Sequence, residues 1–159
     1  MPVKLAVLKE TRAFEKRVAL VPAVADKLAK LGCEVSLQAG AGDAVKLPDA
    51  AFKGVHAIAN PQGMVGDADI VCAVNPPSLD VVDAMKEGSI LISFIYAHKE
   101  AALVKKLRDK KITCFAMELV PRITRAQAMD ALSSQAALAG YYAALMGATQ
   151  IARILPMMT

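Results

Sequence analysis

Apolar and polar residues follow two spacings along the chain, and these spacings predict alternating strands and helices. Short apolar runs bounded by turn residues are typical of buried strands, and they occur at residues 3–9, 34–39, 56–59, 68–74, 89–95 and 112–118. Apolar residues at helical spacing predict the helices between them, at residues 22–32, 48–54, 78–88 and 99–111. The pattern therefore predicts a three-layer α/β domain with a mainly parallel sheet of about five or six strands.

A longer helix is predicted near the end of the chain. It is expected to begin at about Gln127 and to end at about Ile154, before Pro156. The chain is thus expected to consist of an α/β lobe, residues 1–125, and a long connecting helix, residues 126–159.

The segment PRITRAQAMDALSS, residues 121–134, is unusually polar for its surroundings. Thr124 and Gln127 have the spacing of a capping box, in which two side chains satisfy backbone N–H groups at a helix start. At helical spacing, four short polar side chains share about a third of the helix circumference: Gln127, Asp130, Ser133 and Ser134. Arg122 precedes them and is expected to pair with Asp130. The residues alone favour a ligand site and a solvated helix start about equally.

Two loops that follow strands carry weaker candidates. Residues 9–22 lie where parallel sheets bind ligands, and they contain three cations that suit a carboxylate or phosphate: Arg12, Lys16 and Arg17. A solvated loop fits this pattern better than a ligand site does. Residues 40–45, GAGDAV, have Val45 where a dinucleotide loop has its third glycine. A tight turn is therefore favoured there.

Composition narrows the classes of function. The net charge is +4, but aromatic residues are only 4% of the chain and tryptophan is absent, so nucleic-acid binding is not expected. No apolar run reaches the ~18 residues of a membrane span, and the first residues lack the apolar region of a signal peptide. A cytoplasmic protein is expected. Its cysteines have no metal-binding or redox spacing and are expected to be small buried residues: Cys33, Cys72 and Cys114.

Residues 118–141, ELVPRITRAQAMDALSSQAALAGY, resemble the signature segment of the NAD(H)-binding component, domain I, of proton-translocating NAD(P) transhydrogenase. KETRAFEKRVALVP, at residues 9–22, resembles the N-terminus of the same family. QAGAG, VNPP and SFIYA then follow in the expected order. The resemblance covers nearly the whole chain. It implies a flavodoxin-like or Rossmann-like first lobe, and a second lobe that carries the glycine-rich dinucleotide fingerprint.

The resemblance also implies which residues bind the cofactor. In the family the nicotinamide end of NAD(H) is contacted by an arginine, a glutamine, an aspartate and a serine, which match Arg122, Gln127, Asp130 and Ser133. Gln127 and Ser133 are expected to orient the carboxamide. Arg122, fixed by Asp130, is expected to reach the pyrophosphate or nicotinamide side. The hydride passes directly between two cofactors, so neither a catalytic acid or base nor a metal is expected.

Two alternatives remain. Alanine dehydrogenase shares this lobe, but it has a lysine where this chain has Asn75 and a histidine where it has Tyr96. Arg17 matches an arginine of both families and does not discriminate between them. The other alternative is a non-catalytic interaction module that kept the fold, and the intact set of four cofactor-binding residues speaks against it.

The resemblance implies partners as well. These are a second dinucleotide-binding lobe, the NADP-binding and membrane components of a transhydrogenase, and a second copy in a homodimer. The location implied is cytoplasmic and peripheral to the inner membrane. The family continues beyond Thr159, so the chain is expected to lack most of the adenosine and pyrophosphate site and to transfer no hydride alone. A fragment, a separately encoded portion and a diverged module all fit this expectation.

Overall fold

The structure is a computed structural model that describes residues 2–153. The chain forms two compact units, Met1–Ala116 and Met117–Thr159. This division does not decide the predicted boundary between an α/β lobe and a connecting helix at residue 125, which stays a prediction.

The first unit is built on a parallel sheet of six strands, as the alternating pattern predicts. The strands are β1 Val3–Val7, β2 Cys33–Gln38, β3 His56–Ile58, β4 Ile70–Cys72, β5 Ile90–Ser93 and β6 Thr113–Ala116. Their order across the sheet is β3-β2-β1-β4-β5-β6. The chain therefore reverses its direction of travel between β1 and β4, and the carboxyl ends of these two strands flank the crevice where open parallel sheets bind ligands.

Helices cover both faces of this sheet, which confirms the three-layer α/β prediction. They are α1 Pro22–Lys30, α2 Pro61–Asp67, α3 Leu79–Ala84 and α4 Ala101–Asp109. On one face, Ala6, Val71 and Leu91 lie in register on adjacent strands and pack beneath α2, α3 and α4. On the other face, Val7 and Leu37 are fully buried and pack with residues of α1. Alternate residues of each strand thus supply two separate apolar cores.

Local residues explain where the helices begin and end. Pro22 stands at the first turn of α1, and Gly32 follows its last turn with φ +82°, a conformation that a side chain disfavours. Helix α2 is absent from the sequence-based prediction. It begins because the side chain of Asn60 accepts a hydrogen bond from the backbone N–H of Gln62 and Pro61 fits the first turn.

The second unit contains two 3₁₀ turns, Met117–Leu119 and Thr124–Met129, followed by helix α5, Ala131–Gln150. The predicted start of the long helix at about Gln127 is therefore wrong. Gln127 lies in the 3₁₀ turn, and the α-helix begins after Asp130. The predicted end at about Ile154 is wrong as well, since α5 ends at Gln150 and Ile151, Ala152 and Arg153 are not helical; Ile154 itself lies outside the described residues.

Two further features of the described residues are the state of the cysteines and the apolar character of the helices. Cys33, Cys72 and Cys114 are all half-buried and none forms a disulfide. Burial raises the pKa of the Cys72 thiol to about 11. Within residues 2–153, no helix combines the length and the apolar character needed to cross a membrane.

Candidate functional site

The first polar cluster lies where strands β1 and β4 end. The carboxylate of Glu10, just beyond β1, accepts hydrogen bonds from the backbone N–H groups of Val74 and Asn75, at 2.7 and 3.2 Å. It also accepts one from the side-chain amide of Asn75, at 2.8 Å. The loop after β1 is therefore fastened to the end of β4 by a single carboxylate.

Asn75 links this carboxylate to a second one. Its side-chain amide also donates to Glu15, at 2.9 Å, and Glu15 accepts from Nε and Nη2 of Arg17, at 2.8 and 2.7 Å. These bonds from Arg17 are the main reason why the pKa of Glu15 falls to about 2. The guanidinium predicted as a possible anion ligand is thus engaged by a carboxylate of its own loop.

The other cations of this loop differ in their surroundings. Arg12 forms a 3.4 Å ion pair with Glu100, and Lys16 is exposed. Arg12 and Arg17 therefore have internal counter-charges, and the loop serves as a structural clamp at this edge. Whether Lys16 meets a ligand stays a prediction.

The GAGD loop after β2 forms a closed turn. Gly40 has φ +71°, and its backbone N–H donates to both carboxylate oxygens of Asp49, at 3.0 and 3.1 Å. Phosphate-binding glycine loops keep such N–H groups for the ligand. Here the carboxylate of Asp49 takes the place that a bound phosphate would have. The N–H of Gly40 is therefore not available to a ligand.

The second polar cluster begins at the N-terminus of α5. Asp130 is the N-cap of this helix, and its Oδ1 accepts a hydrogen bond from the backbone N–H of Ser133 at 2.9 Å. The hydroxyl of Ser134 donates to the backbone carbonyl of Asp130, also at 2.9 Å. The predicted capping role of Thr124 is wrong, since Thr124 is the first residue of a 3₁₀ turn whose N-cap is Ile123, and the N-cap of α5 is Asp130. An aspartate three residues before Ser133 satisfies the helix end instead.

Asp130 is 8% exposed, and its pKa is lowered. The main cause is hydrogen bonding from the side chain and backbone of Ser133, and the charge of Arg122 makes a smaller contribution. The predicted Arg122–Asp130 ion pair does not form within 4.0 Å in the described part of the chain. Arg122 acts on Asp130 through space and keeps its own donors available.

All four cofactor-binding residues implied by the resemblance border one hollow of about 310 Å³, which is lined by Arg122, Ile123, Thr124, Gln127, Asp130 and Ser133. The 3₁₀ turn brings Gln127 towards the helix start, so these side chains meet although they do not share one α-helical face. The lining offers a guanidinium, a primary amide, two hydroxyls and an aspartate. Such a set suits a ligand that carries both an amide and anionic oxygens.

Two lining residues are not evident as site residues from the sequence. The pattern suggests only a capping role for Thr124 and no role for Ile123. Thr124 lines the hollow because a turn with three residues per repeat places positions 124 and 127 on the same side. Ile123 directly precedes this turn.

The chain is similar to known proteins over most of its length. A family model described as "Alanine dehydrogenase/PNT, N-terminal domain" matches residues 6–139. A relative from Rhodospirillum rubrum, named as the first portion of an NAD(P) transhydrogenase subunit alpha, is 43% identical and covers 98% of this chain and 42% of the relative. An alanine dehydrogenase of Mycobacterium tuberculosis is 32% identical and covers 94% of this chain and 40% of the relative.

A solved structure gives a similar result. The crystal structure of a transhydrogenase from Sinorhizobium meliloti matches with a TM-score of 0.89 at 36% identity. The match covers 98% of this chain and 47% of the transhydrogenase chain. The chain therefore spans less than half the length of the proteins it matches.

Proposed function

Because this chain belongs to the alanine dehydrogenase/PNT N-terminal domain family, we propose that it is the N-terminal lobe of the NAD(H)-binding component of an NAD(P) transhydrogenase. Membership of the family confirms the resemblance seen in residues 118–141 and 9–22 and supports an oxidoreductase function. The transhydrogenase activity itself, the cofactor and the partners are our proposal.

The observation that carries this proposal is the hollow at the start of α5. Its volume of about 310 Å³ lies at the lower end of the ~300–1,000 Å³ range of small-molecule pockets, which suits one end of a dinucleotide better than the whole cofactor. The amide of Gln127 and the hydroxyl of Ser133 match a carboxamide, which both donates and accepts hydrogen bonds. The guanidinium of Arg122 matches a pyrophosphate or the electron-rich side of the ring. The residues present therefore fit NAD(H).

In this proposal the chain's own residues bind and orient, and NAD(H), when bound, supplies the hydride chemistry. Gln127 and Ser133 fix the carboxamide, so that one face of the ring is presented to the acceptor. Asp130 belongs to the site as well. Because its carboxylate already holds the backbone of Ser133, it also sets the direction of the Ser133 side chain. No proton is transferred by these residues.

A second lobe completes the site in the proposal. The longer relatives have more than twice the length of this chain, and the lobe proposed here provides only one wall around the nicotinamide. We propose that this chain alone transfers no hydride, and that its partners are a dinucleotide-binding lobe, the NADP-binding and membrane components, and a second copy. The proposed location is the cytoplasmic side of the inner membrane.

The first experiment is calorimetric titration of the chain with NADH. Weak or undetectable binding is expected, because the hollow offers contacts to only one end of the cofactor. A submicromolar dissociation constant would show that the second lobe is not needed for most of the affinity.

The second experiment uses this lobe joined to the remaining portion of a transhydrogenase alpha subunit. Ser133→Ala is expected to slow hydride transfer by up to about tenfold, since a hydrogen bond to the carboxamide contributes about 0.5–1.5 kcal/mol. Ser134→Ala is the matched control, because Ser134 is adjacent and does not line the hollow. Equal losses from the two variants would indicate a structural role for this helix start and not a cofactor site.

The same protein can be used to separate two roles of Asp130, which are capping α5 and orienting the cofactor. Asp130→Asn keeps an acceptor for the Ser133 N–H, whereas Asp130→Ala removes it. We expect Asp130→Ala to slow hydride transfer more than it weakens NADH binding, and Asp130→Asn to have the smaller effect. Equal losses of rate and affinity in Asp130→Ala would indicate that Asp130 is only a helix cap.

Alanine dehydrogenase remains the second candidate, because one relative has that name at 32% identity. The structure gives Asn75 a bridging role between Glu10 and Glu15. The family's lysine is absent from this position, so we rank this activity below transhydrogenation. The joined protein tests it directly, since NADH oxidation that depends on pyruvate and ammonia would support alanine dehydrogenase.

A further inference from the structure

Ile123 is an apolar residue in the wall of an otherwise polar hollow. Five of the six residues that line the hollow at the start of α5 have polar or charged side chains, and the sixth is Ile123. Ile123 is 56% exposed and belongs to neither of the two apolar cores that the described residues form. Packing among these residues therefore does not explain a large aliphatic side chain at this position.

The local structure does not explain Ile123 either. Ile123 is the N-cap of the 3₁₀ turn Thr124–Met129, and its side chain forms no capping hydrogen bond. Short polar residues are favoured at helix starts, because their side chains accept hydrogen bonds from the first N–H groups, and isoleucine lacks such an acceptor. A side chain that serves neither a core nor the turn is a candidate for contact with a ligand.

The backbone of Ile123 is held on both sides. Its N–H donates a hydrogen bond to the carbonyl of Pro121 at 3.0 Å, and its carbonyl accepts one from the N–H of Ala126 at 2.9 Å. The side chain is β-branched, so it has few rotamers to choose from. Its neighbours in the chain, Arg122 and Thr124, line the same hollow. The aliphatic surface of Ile123 is therefore presented to the hollow from a fixed position.

A nicotinamide ring needs two kinds of contact. Its carboxamide forms hydrogen bonds, which Gln127 and Ser133 offer in the proposed function, but the two faces of the ring are largely apolar. Ligand pockets combine apolar lining with a small number of polar groups that set the orientation. Ile123 can pack against a ring face without giving up a hydrogen bond to water, whereas a polar side chain in its place would lose one.

We propose that Ile123 packs against one face of the nicotinamide ring and fixes the plane of the ring, while Gln127 and Ser133 fix its carboxamide. This role rests on the proposed function, because it requires the hollow to take the nicotinamide end of NAD(H). Hydrogen bonds to the carboxamide alone leave the ring free to tilt about that edge. A contact on one face removes this freedom and leaves the other face to the hydride acceptor. Ile123 is thus a positioning residue and exchanges neither proton nor hydride.

The test compares two ligands by calorimetric titration of this lobe joined to the remaining portion of a transhydrogenase alpha subunit. NADH carries the ring, and ADP-ribose is the same molecule without nicotinamide. Ile123→Thr keeps the β-branched shape but makes the surface polar, so it is expected to weaken NADH binding about three- to tenfold and to leave ADP-ribose binding unchanged. Ile123→Val loses one methylene group and is expected to weaken NADH binding only about twofold.

Two controls separate this contact from a structural effect. Met129 is 59% exposed in the same 3₁₀ turn and does not line the hollow, so Met129→Ala should change neither affinity. Threonine is a better N-cap than isoleucine, so Ile123→Thr should not lower the melting temperature. A loss of affinity accompanied by a lower melting temperature would overturn the proposal, since it would indicate a damaged turn.

The remaining outcomes distinguish this role from the proposed function. Equal losses for NADH and ADP-ribose in Ile123→Thr, or an equal loss of NADH affinity in Met129→Ala, would overturn the role of Ile123. Unchanged NADH affinity in Ile123→Thr would also overturn it, and the proposed function would stand if Ser133→Ala still slows hydride transfer. If neither variant has an effect, the hollow does not take the nicotinamide, and both proposals fail.

Discussion

Glu15→Gln tests how the loop after β1 is held at the carboxyl edge of the sheet. Gln keeps the size of the side chain but loses its charge and replaces one acceptor oxygen with an N–H₂ donor. The groups that face Glu15 are the donors of Arg17 and Asn75. The variant therefore places donors against donors and leaves Arg17 without its bidentate partner. We expect the folded protein to become less stable at neutral pH.

The magnitude follows from the pKa of Glu15. Hydrogen bonds from Arg17 lower this pKa from its ordinary value of 4.5 to about 2, which corresponds to about 3 kcal/mol for a fully shielded pair. The side chain of Glu15 is only 12% exposed, but that of Arg17 is 42% exposed. Solvent screening at Arg17 therefore reduces the expected loss to about 1–2 kcal/mol.

The direction with pH is fixed by the sign of the shift. Because the folded-state pKa lies below the unfolded-state value, the stabilisation is complete above about pH 4.5 and is lost as the pH falls towards 2. Urea unfolding of wild type and Glu15→Gln should therefore differ by about 1–2 kcal/mol at neutral pH and converge as the pH falls to about 2. Glu34→Gln is the control, because Glu34 is an exposed residue of β2 whose side chain has no hydrogen-bond partner in the described structure. A gap between wild type and Glu15→Gln that stays constant across this range would refute the ion-pair reasoning.

Three further predictions follow from single residues. Phe14 is fully exposed with φ +66°, so Phe14→Gly should raise the melting temperature by relieving up to about 1 kcal/mol of backbone strain, while Phe14→Ala should not. Burial raises the pKa of Cys72 to about 11, so a single-cysteine variant should react with iodoacetamide at pH 8 only after unfolding, and rapid labelling of the folded protein would contradict this. Asn75→Asp places a third carboxylate beside Glu10 and Glu15 and should cost about 1–3 kcal/mol at neutral pH in a denaturant melt. That cost should shrink in acid, and a pH-independent loss would count against charge repulsion.

The sheet is predictable because its strands carry a strong local signal. Each strand is a short apolar run between turn residues, and the structure has a strand that overlaps each of the six predicted ranges. Helix α2 escapes prediction because it spans only seven residues, Pro61–Asp67, and contains Gly63 and Gly66, both of which weaken a helical pattern. The Asn60-Pro61 pair is the signal that identifies its start, since asparagine caps a helix and proline fits its first turn.

The clamp between Glu10, Glu15 and Asn75 is not predictable from local pattern. Asn75 is 65 residues from Glu10 and 60 from Glu15 along the chain. They meet only because β1 and β4 are neighbours in the sheet, and the order of parallel strands is not encoded in any one segment. The pattern locates Arg17 correctly at a strand end, but the partner of Arg17 depends on this long-range pairing.

The hollow at the start of α5 differs in this respect, because it is built from one continuous stretch. Its lining residues lie between Arg122 and Ser133, and the hydrogen bond that joins two of them, Ser133 N–H to Asp130, spans only three positions. Such contacts form with little loop-closure cost, so the arrangement of Gln127 and Ser133 does not require a distant segment of chain. This local arrangement does not give high affinity by itself, because one small hollow offers few contacts for a dinucleotide. In the proposed function, this lobe orients the nicotinamide, and the second lobe supplies most of the binding energy for the cofactor.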